Sequence, residues 1–574
     1  MVLLKASLPI LGLAAYAQAA PAVSGPNSSL NSTGSSIKWT ECSSELNKNA
    51  ILPVECAQLN VPRDYTDDKS NKTVALNLIR VPATKQPFLG SILMNYGGPG
   101  EGAVTATAES GLILNMMSGG QFDIVAFDPR GTTTTLPFQC FTSNLEAQEA
   151  LNALGRIPPP EDHENLGYLW AAADNFAQAC AKTQNETGAL INTPFAARDV
   201  VSVATALGEK DKIRYWGLSY GTTLGATLIS MFPEKIEGAI LDGVQNPHEY
   251  MHGEAEYEGW VQSDQVFAGI FEHCLKNADN CALSRRGKSA AELEKLYWSL
   301  YEKLRYNPIP FPDGGGILNS HLLNALTNKA LYDSMIWPVF TTGIDMLLGS
   351  EEDYDQGFMK KWLGLSEDDQ DTQDQDTQDQ DTQCQDTQGQ DTQGLQVPHG
   401  IRCSDYMGRL SSLEEYMPIQ ERLYNISRIL GPISASPGMT CSRWKIEPKE
   451  RYEGNFQVAP RKPVLIVGNT YDGATPIVSA RNVSSGFKGS TVLELNAYGH
   501  CTIGIPSKCI VQRFTEYWVN GTMPEPGTVC EADYQPWSNV TWATVMREIG
   551  YQLPGNSSNV SRRSLVPLRF RPIR

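Results

Sequence analysis

Residues 213–222 read Ile213-Arg214-Tyr215-Trp216-Gly217-Leu218-Ser219-Tyr220-Gly221-Thr222 and lead into a helical segment over Thr223–Met231. An apolar run, Ile213–Gly217, that enters Gly-x-Ser-x-Gly and then a helix predicts a sharp strand-to-helix turn presenting the Ser219 hydroxyl. Small flanking residues are a physical requirement. Bulk at Gly217 or Gly221 would strike the neighbouring strand and helix, and the serine itself must hold a strained backbone. The helix behind the turn offers free N–H groups to developing negative charge. An ordinary strand–helix turn fits the same letters, so partners for Ser219 have to be found elsewhere.

A hydroxyl is a weak nucleophile until a base takes its proton. The chain has seven histidines: His163, His248, His252, His273, His321, His399 and His500. When a serine sits on such a turn, an acid and then a histidine follow it in chain order. His399 abuts a low-complexity segment and has no strand before it. His500 follows the apolar run Thr491–Leu495 and the loop Asn496-Ala497-Tyr498-Gly499, where a loop-borne base belongs. The acid is expected at the carboxyl end of a strand between the two. Pro463–Val467 is that strand, and its loop, Asn469 to Pro476, carries Asp472, which would fix the imidazole tautomer. Asp242, at the end of Ile236–Leu241, competes for the role but suits turn support in Asp-Gly. An early glycine loop, Asn95-Tyr96-Gly97-Gly98-Pro99-Gly100, supplies the expected oxyanion hole: the Gly97 N–H, or its neighbour Gly98, with the Tyr220 N–H.

The runs Ala75–Val81, Ser91–Asn95, Phe122–Phe127, Ile213–Gly217 and Ile236–Leu241 alternate with helical stretches, the signature of a parallel α/β sheet. From about Val244 to Arg443 the strands stop and long helical patterns take over, as in Ala290–Leu304 and His321–Leu348. Strands resume at Pro463. The predicted architecture is therefore an α/β-hydrolase fold, a mostly parallel sheet flanked by helices, with an inserted helical lid. Its segments are residues 20–244 and 446–545 for the hydrolase domain, 245–445 for the lid and 546–574 for a loose tail. Within the lid, Asp369–Gln393 repeats Gln-Asp-Thr-Gln-Asp without an apolar anchor and reads as disordered. Its carboxylates lack the glycine turns of a calcium loop.

With 41% hydrophobic and 19% charged residues the composition is that of a globular protein, and a formal charge of −18 argues against nucleic acid or anionic membrane as partner. Residues 1–19 carry Lys5, a short apolar run from Leu8 to Ala15 and Ala17-Gln18-Ala19, the pattern of an export signal; a buried N-terminal helix is the alternative. No later stretch is long and apolar enough to span a membrane. Sequons at Asn27, Asn31, Asn71, Asn185, Asn425, Asn482, Asn520, Asn539, Asn556 and Asn559 and twelve dispersed cysteines without a CxxC pair agree with a secreted, disulfide-bonded glycoprotein. Spacing alone does not fix the pairing; Cys384, inside the repeat, is the residue expected to stay unpaired. His248-Glu249-Tyr250-Met251-His252 matches the HExxH zinc pattern. Pro247 and Gly253 leave it little more than one helical turn and no third ligand is evident, so no metal and no cofactor are expected.

Together these motifs resemble the prolyl/tripeptidyl-aminopeptidase-like branch of the α/β hydrolases, from about Trp39 to Tyr534. The likeness rests on Asn95–Gly100, Phe127-Asp128-Pro129-Arg130-Gly131, Tyr215–Thr222, Leu241-Asp242-Gly243-Val244, Tyr471–Pro476 and Tyr498-Gly499-His500. It continues through Asn520-Gly521-Thr522 and Cys530-Glu531-Ala532-Asp533, which look like the C-terminal domain of secreted tripeptidyl aminopeptidases. The resemblance implies a Ser219–Asp472–His500 triad and release of short peptides or amino acids from free N-termini. It also implies disulfides Cys42–Cys56, Cys140–Cys180, Cys274–Cys281, Cys403–Cys441 and Cys509–Cys530, leaving Cys384 and Cys501. Asn95-Tyr96 stands where prolyl aminopeptidases place a histidine before the paired glycines, which argues against proline specificity. Acidic lid residues can capture a substrate ammonium; Glu249, Glu254, Glu256 and Glu258 are the candidates, with a solvated acidic face as the alternative. The partner is then a peptide, or, for an ester, lactone or amide hydrolase, a small metabolite; a non-catalytic binding protein on the same scaffold is a third reading.

Overall fold

The strands among the described residues are β1 (Thr40–Glu41), β2 (Glu55–Pro62), β3 (Thr73–Val81), β4 (Ser91–Asn95), β5 (Asp123–Phe127), β6 (Ile213–Leu218), β7 (Ile236–Asp242), β8 (Ile309–Phe311), β9 (Gly316–Leu318), β10 (Val464–Tyr471), β11 (Thr491–Tyr498) and β12 (Val529–Glu531). All but β8 and β9 form one ten-stranded sheet in the order β1-β2-β3-β5-β4-β6-β7-β10-β11-β12. The computed structural model describes residues 37–551, apart from 157, 159–160, 312–315, 350–354 and 364–392. The expected signal segment 1–19, Asn27, Asn31, Cys384, Asn556, Asn559 and the repeat up to its last residue lie outside the described residues.

The strands from β5 to β12 run parallel, whereas β1, β2 and β3 pair antiparallel at one edge. β4 and β5 are buried at every position, as central parallel strands covered on both faces must be. Successive side chains feed opposite layers. Tyr215, Leu241, Val464 and Ile466 point into one core, and Trp216, Ile240, Leu465 and Val467 into the other. Because β4 lies between β5 and β6, the chain reverses its winding direction there and opens a crevice at the carboxyl ends, the usual binding position in such sheets. β7 pairs directly with β10, Asp242 opposite Val467, so everything between them is an excursion from the sheet's carboxyl edge.

Several expected boundaries shift. The inserted segment is not purely helical: β8 and β9 form a separate antiparallel hairpin. The pattern over His321–Leu348 is two helices, Ser320–Tyr332 and Trp337–Leu347, because a Pro at the second helical position starts a new helix rather than continuing the old one. The insertion also divides. Phe267, Tyr297, Leu323, Trp337 and Ile344 share a core of their own. Val397, Ile401, Met439 and Ile446 instead join Ala173, Phe176 and Cys180 from the long helix His163–Gly188. Part of the segment assigned to the hydrolase half therefore packs with the second half of the lid. At the other end, the helix Trp542–Glu548 crosses the expected start of the tail at 546, with Trp542, Val545 and Met546 buried.

The disulfides are Cys42–Cys56, Cys140–Cys180, Cys274–Cys281, Cys403–Cys441 and Cys509–Cys530, and Cys501 is a buried free thiol. Asn71, Asn185, Asn425, Asn482, Asn520 and Asn539 are all exposed.

Arg130, from the Asp-Pro-Arg-Gly turn after β5, is buried with its guanidinium on Asp199 at 2.6 Å and 2.9 Å and on the carbonyls of Pro62 and Arg63. The Asp199 and Arg130 side chains are 0% and 1% exposed. Arg130→Met, which leaves Asp199 in place without its cation, is expected to lower stability by about 3–5 kcal/mol in denaturant unfolding, because one charge then stays buried and unpaired.

Candidate active site

Ser219 sits between β6 and the helix Tyr220–Met231 with φ 56° and ψ −125°, the strained turn that the glycine spacing predicts. Its N–H donates to the Asp242 carbonyl at the end of β7 (3.1 Å), and its own carbonyl accepts from Thr222 N–H (2.8 Å) and Thr222 Oγ1 (2.6 Å). The close approach of the flanking chain explains two glycines. A Cβ on Gly97 would lie 2.6 Å from the Leu218 carbonyl oxygen and 2.9 Å from the Ser219 Cβ. One on Gly221 would lie 2.6 Å from the Asn95 carbonyl oxygen.

The loop after β4 thus lies against the turn, with the two expected donors in different settings. Gly97 N–H donates to Asn95 Oδ1 at 3.0 Å, within its own loop, and is engaged. Gly98 N–H meets no acceptor among the described residues, and Tyr220 N–H opens its helix. Tyr96, where a histidine was the comparison, turns inward, its hydroxyl on Thr107 and Ser110.

His500 follows β11 and Asp472 follows β10. His500 Nδ1 lies 2.9 Å from Asp472 Oδ2 and 3.2 Å from Oδ1, with both side chains fully buried. Asp472 also accepts from Ala474 N–H, Thr475 N–H and Thr475 Oγ1 at 2.7–2.9 Å. Burial works to raise this carboxyl, but the His500 charge and these donors outweigh it and hold the group below its ordinary value. Thr475 touches His500 Nδ1 as well (3.0 Å), and Tyr332, from the end of its lid helix, covers the ring with centroids 4.8 Å apart. Neither was singled out from sequence. Thr475 was legible as the closing residue of an Asp-Gly-Ala-Thr turn; Tyr332 left no local signal.

Asp242 is not the imidazole's partner. Its carboxylate accepts from Thr502 N–H (2.9 Å) and Thr502 Oγ1 (2.8 Å), anchoring the segment just after His500. Cys501 lies between, its thiol on the Asp242 carbonyl that also receives Ser219 N–H. A Cβ on Gly243 would lie 3.3 Å from His500 Cε1. The carboxyl ends of β6, β7, β10 and β11 therefore bring the Ser219 turn and the His500 loop onto shared neighbours.

The four acidic lid residues do not act as one face. Glu249 and Glu256 line a small cavity with Gln245, Asn246, Gly259, Ala474 and Ser479, next to the Asp472 loop. Glu256 is buried and paired with Arg402 at 3.1 Å. Glu258 is held by Asn246 and Asn482, and Glu254 is exposed, beside Tyr257. In the HExxH stretch, a six-residue helix, the His252 ring nitrogens meet Met407 Sδ at 3.0 Å and the Gly454 carbonyl at 3.2 Å. Both ring nitrogens of His252 therefore already have neighbours.

Two family profiles match. One described as "alpha/beta hydrolase fold" covers residues 90–345 and so includes Ser219; one described as "TAP-like protein" covers 428–530 and includes Asp472 and His500. The chain has the α/β-hydrolase fold, and its C-terminal portion is similar to TAP-like proteins. Serine protease Hip1 of Mycobacterium tuberculosis is 26% identical over 517 residues, covering 87% of this chain and 91% of that protein. The tripeptidyl aminopeptidase of Streptomyces lividans is 26% identical over 508 residues, 87% of each. Carboxylesterase B of M. tuberculosis is 26% identical over 505 residues, 86% of this chain and 89% of that protein.

Among the carboxyls that burial raises, Asp242 reaches about 6, and Glu249 and Asp405 about 7, with Glu258 and Glu256 adding like-charge repulsion at Glu249. Between their ordinary values and these, the folded chain holds protons that the unfolded chain has released. Their contribution to stability is thus present on the acid side of the window and is lost as pH rises through 6 to 7. Glu249→Gln, which keeps an acceptor for the Glu258 N–H, is expected to raise the melting midpoint more at about pH 8 than at about pH 5. Gly97→Ala is expected to lower turnover by about a hundredfold or more in a folded protein, since its methyl lands on the Tyr220 N–H and the serine.

Proposed function

We propose that the chain is a secreted serine hydrolase that releases short peptides or amino acids from free N-termini through an acyl-enzyme on Ser219. The observation that carries this reading is the fully buried His500–Asp472 contact at 2.9 Å, on the same strand ends as a serine held at positive φ. His500 Nε2 takes the Ser219 proton as Oγ attacks the substrate carbonyl. Asp472 keeps the Nδ1–H pointed at itself and stabilises the imidazolium. The N–H groups of Gly98 and Tyr220 receive the tetrahedral oxyanion, a contribution of about 3–4 kcal/mol per donor where one has been removed from such a site. The leaving amine collects the proton from His500, and water, activated by the same imidazole, hydrolyses the ester.

Relatives named tripeptidyl aminopeptidase and serine protease support a peptide substrate, and Glu249, unlike Glu256, makes no ion pair within 4 Å among the described residues, although the Arg422 charge acts on it. Five disulfides support an oxidising, extracellular setting. No helix among the described residues is long and apolar enough to cross a membrane. A second reading, hydrolysis of esters or amides of small metabolites, draws on the relative named carboxylesterase B.

A fluorophosphonate probe is expected to label the protein at Ser219 and not the Ser219→Ala variant. Absence of labelling in the folded wild type defeats the serine-hydrolase reading. Across a panel of tripeptidyl, aminoacyl and ester chromogenic substrates, amides with free N-termini are expected to turn over and their N-acetylated forms to be poor substrates. Turnover of esters alone selects the second reading.

A further inference from the structure

Tyr220, the residue after Ser219, does more than present its N–H. Its hydroxyl lies 2.5 Å from Thr193 Oγ1, which in turn donates to Asp405 Oδ2 at 2.5 Å. Asp405 Oδ1 accepts from the Thr193 N–H at 2.8 Å. While Asp405 is ionised, Thr193 gives its one hydroxyl proton to the carboxylate and accepts from Tyr220, so the three groups form a relay with one direction. All three residues are buried, Thr193 at 0% exposure, Asp405 at 3% and Tyr220 at 4%. Thr193 opens the helix Thr193–Ala206, whose N-terminus favours an anion at that place. Asp405 ends the lid helix Gln393–Asp405, which Cys403 ties to Cys441.

The relay joins three parts of the chain that are distant in sequence: the turn carrying the nucleophile, a sheet-flanking helix, and the lid. We propose that Asp405 is a positioning residue: from the end of its lid helix it holds the Tyr220 side chain through Thr193, and so fixes the residue whose N–H faces the oxyanion. The proposal rests on the serine-hydrolase reading of Ser219. The other groups facing Asp405 are the Arg451 guanidinium, which favours the anion, and the Tyr250 phenol; the Tyr250 ring packs 5.6 Å from that of Tyr220. Burial pushes the carboxyl up to about 7, so the lid holds a group whose charge changes near neutrality.

The test uses the full chain with Thr193→Val, Thr193→Ser, Tyr220→Phe and the Val/Phe double variant. Thr193→Val and Tyr220→Phe are each expected to lower kcat by about tenfold with KM within about twofold, as misplacement of an oxyanion donor should. The double variant falls no further than either single one, and Thr193→Ser, which keeps the hydroxyl, recovers at least about half of the wild-type kcat. A second readout needs no turnover. The Thr193 hydroxyl bonds the ionised carboxylate better than the neutral acid, so the melting difference between wild type and Thr193→Val is expected to be larger at about pH 8 than at about pH 5. A wild-type kcat in Thr193→Val, equal losses in the Ser and Val variants, additive losses in the double variant, or a melting difference independent of pH each overturns the relay. Failure of the underlying reading is told apart: wild type then neither labels at Ser219 nor turns over any substrate, while the pH-dependent melting difference persists.

Discussion

A carboxylate with no solvent contact is the constraint around which the rest is arranged. Asp472 is 0% exposed, and an isolated charge there would carry a heavy desolvation penalty. It is tolerated because His500, Thr475 and the backbone N–H groups of Ala474 and Thr475 converge on it. Those donors come from the loop after β10 and from the end of β11, so the charge is satisfied only when the two strands are paired in register, with Asn469 opposite Leu495. Electrostatics of one side chain and registry of the sheet are thus the same requirement. A slip between β10 and β11 would leave the charge unsatisfied.

The crevice has two sides of different origin. One is the sheet edge, where β4, β6, β7, β10 and β11 end and where short, glycine-rich turns allow backbones to touch. The other is the long excursion between β7 and β10. Tyr332 covers His500 from that excursion, Glu256 meets Arg402 within it, and Asp405 reaches back to the helix beside the serine turn. The excursion itself is anchored in two places, by an apolar core of its own and by packing against the helix His163–Gly188. The cover over His500 and a contact to the helix beside the serine turn therefore come from the same excursion.

What was legible in the sequence follows from short range. The turn at Ser219, the glycine loop after β4, the strand before Asp472 and the loop bearing His500 each show in consecutive letters, because strained turns and buried parallel strands restrict residue choice locally. The two-strand hairpin β8–β9, the split of the helical stretch around Trp337, and the helix running past 546 were missed. Each is decided by packing partners far away in the chain. The hydrogen bond from Gly97 N–H to Asn95 Oδ1 was equally beyond sequence, since it turns on where one side chain sends its oxygen.

The sequence by itself determined the chemical inventory and its order: a serine on a glycine-flanked turn, an acid after a later strand, a histidine after the next, and cysteines enough for five bridges. Local backbone restrictions and residue chemistry suffice for that. Tertiary structure alone decided between Asp472 and Asp242, sending one to the imidazole and the other to Thr502. It likewise divided the lid glutamates among different partners and joined Asp405 to Tyr220 through Thr193. The physical reason is common to all three. A buried polar atom must find its partner within about 3 Å. Which atoms come that close is set by how sheet and helices pack, and a linear sequence does not display that distance.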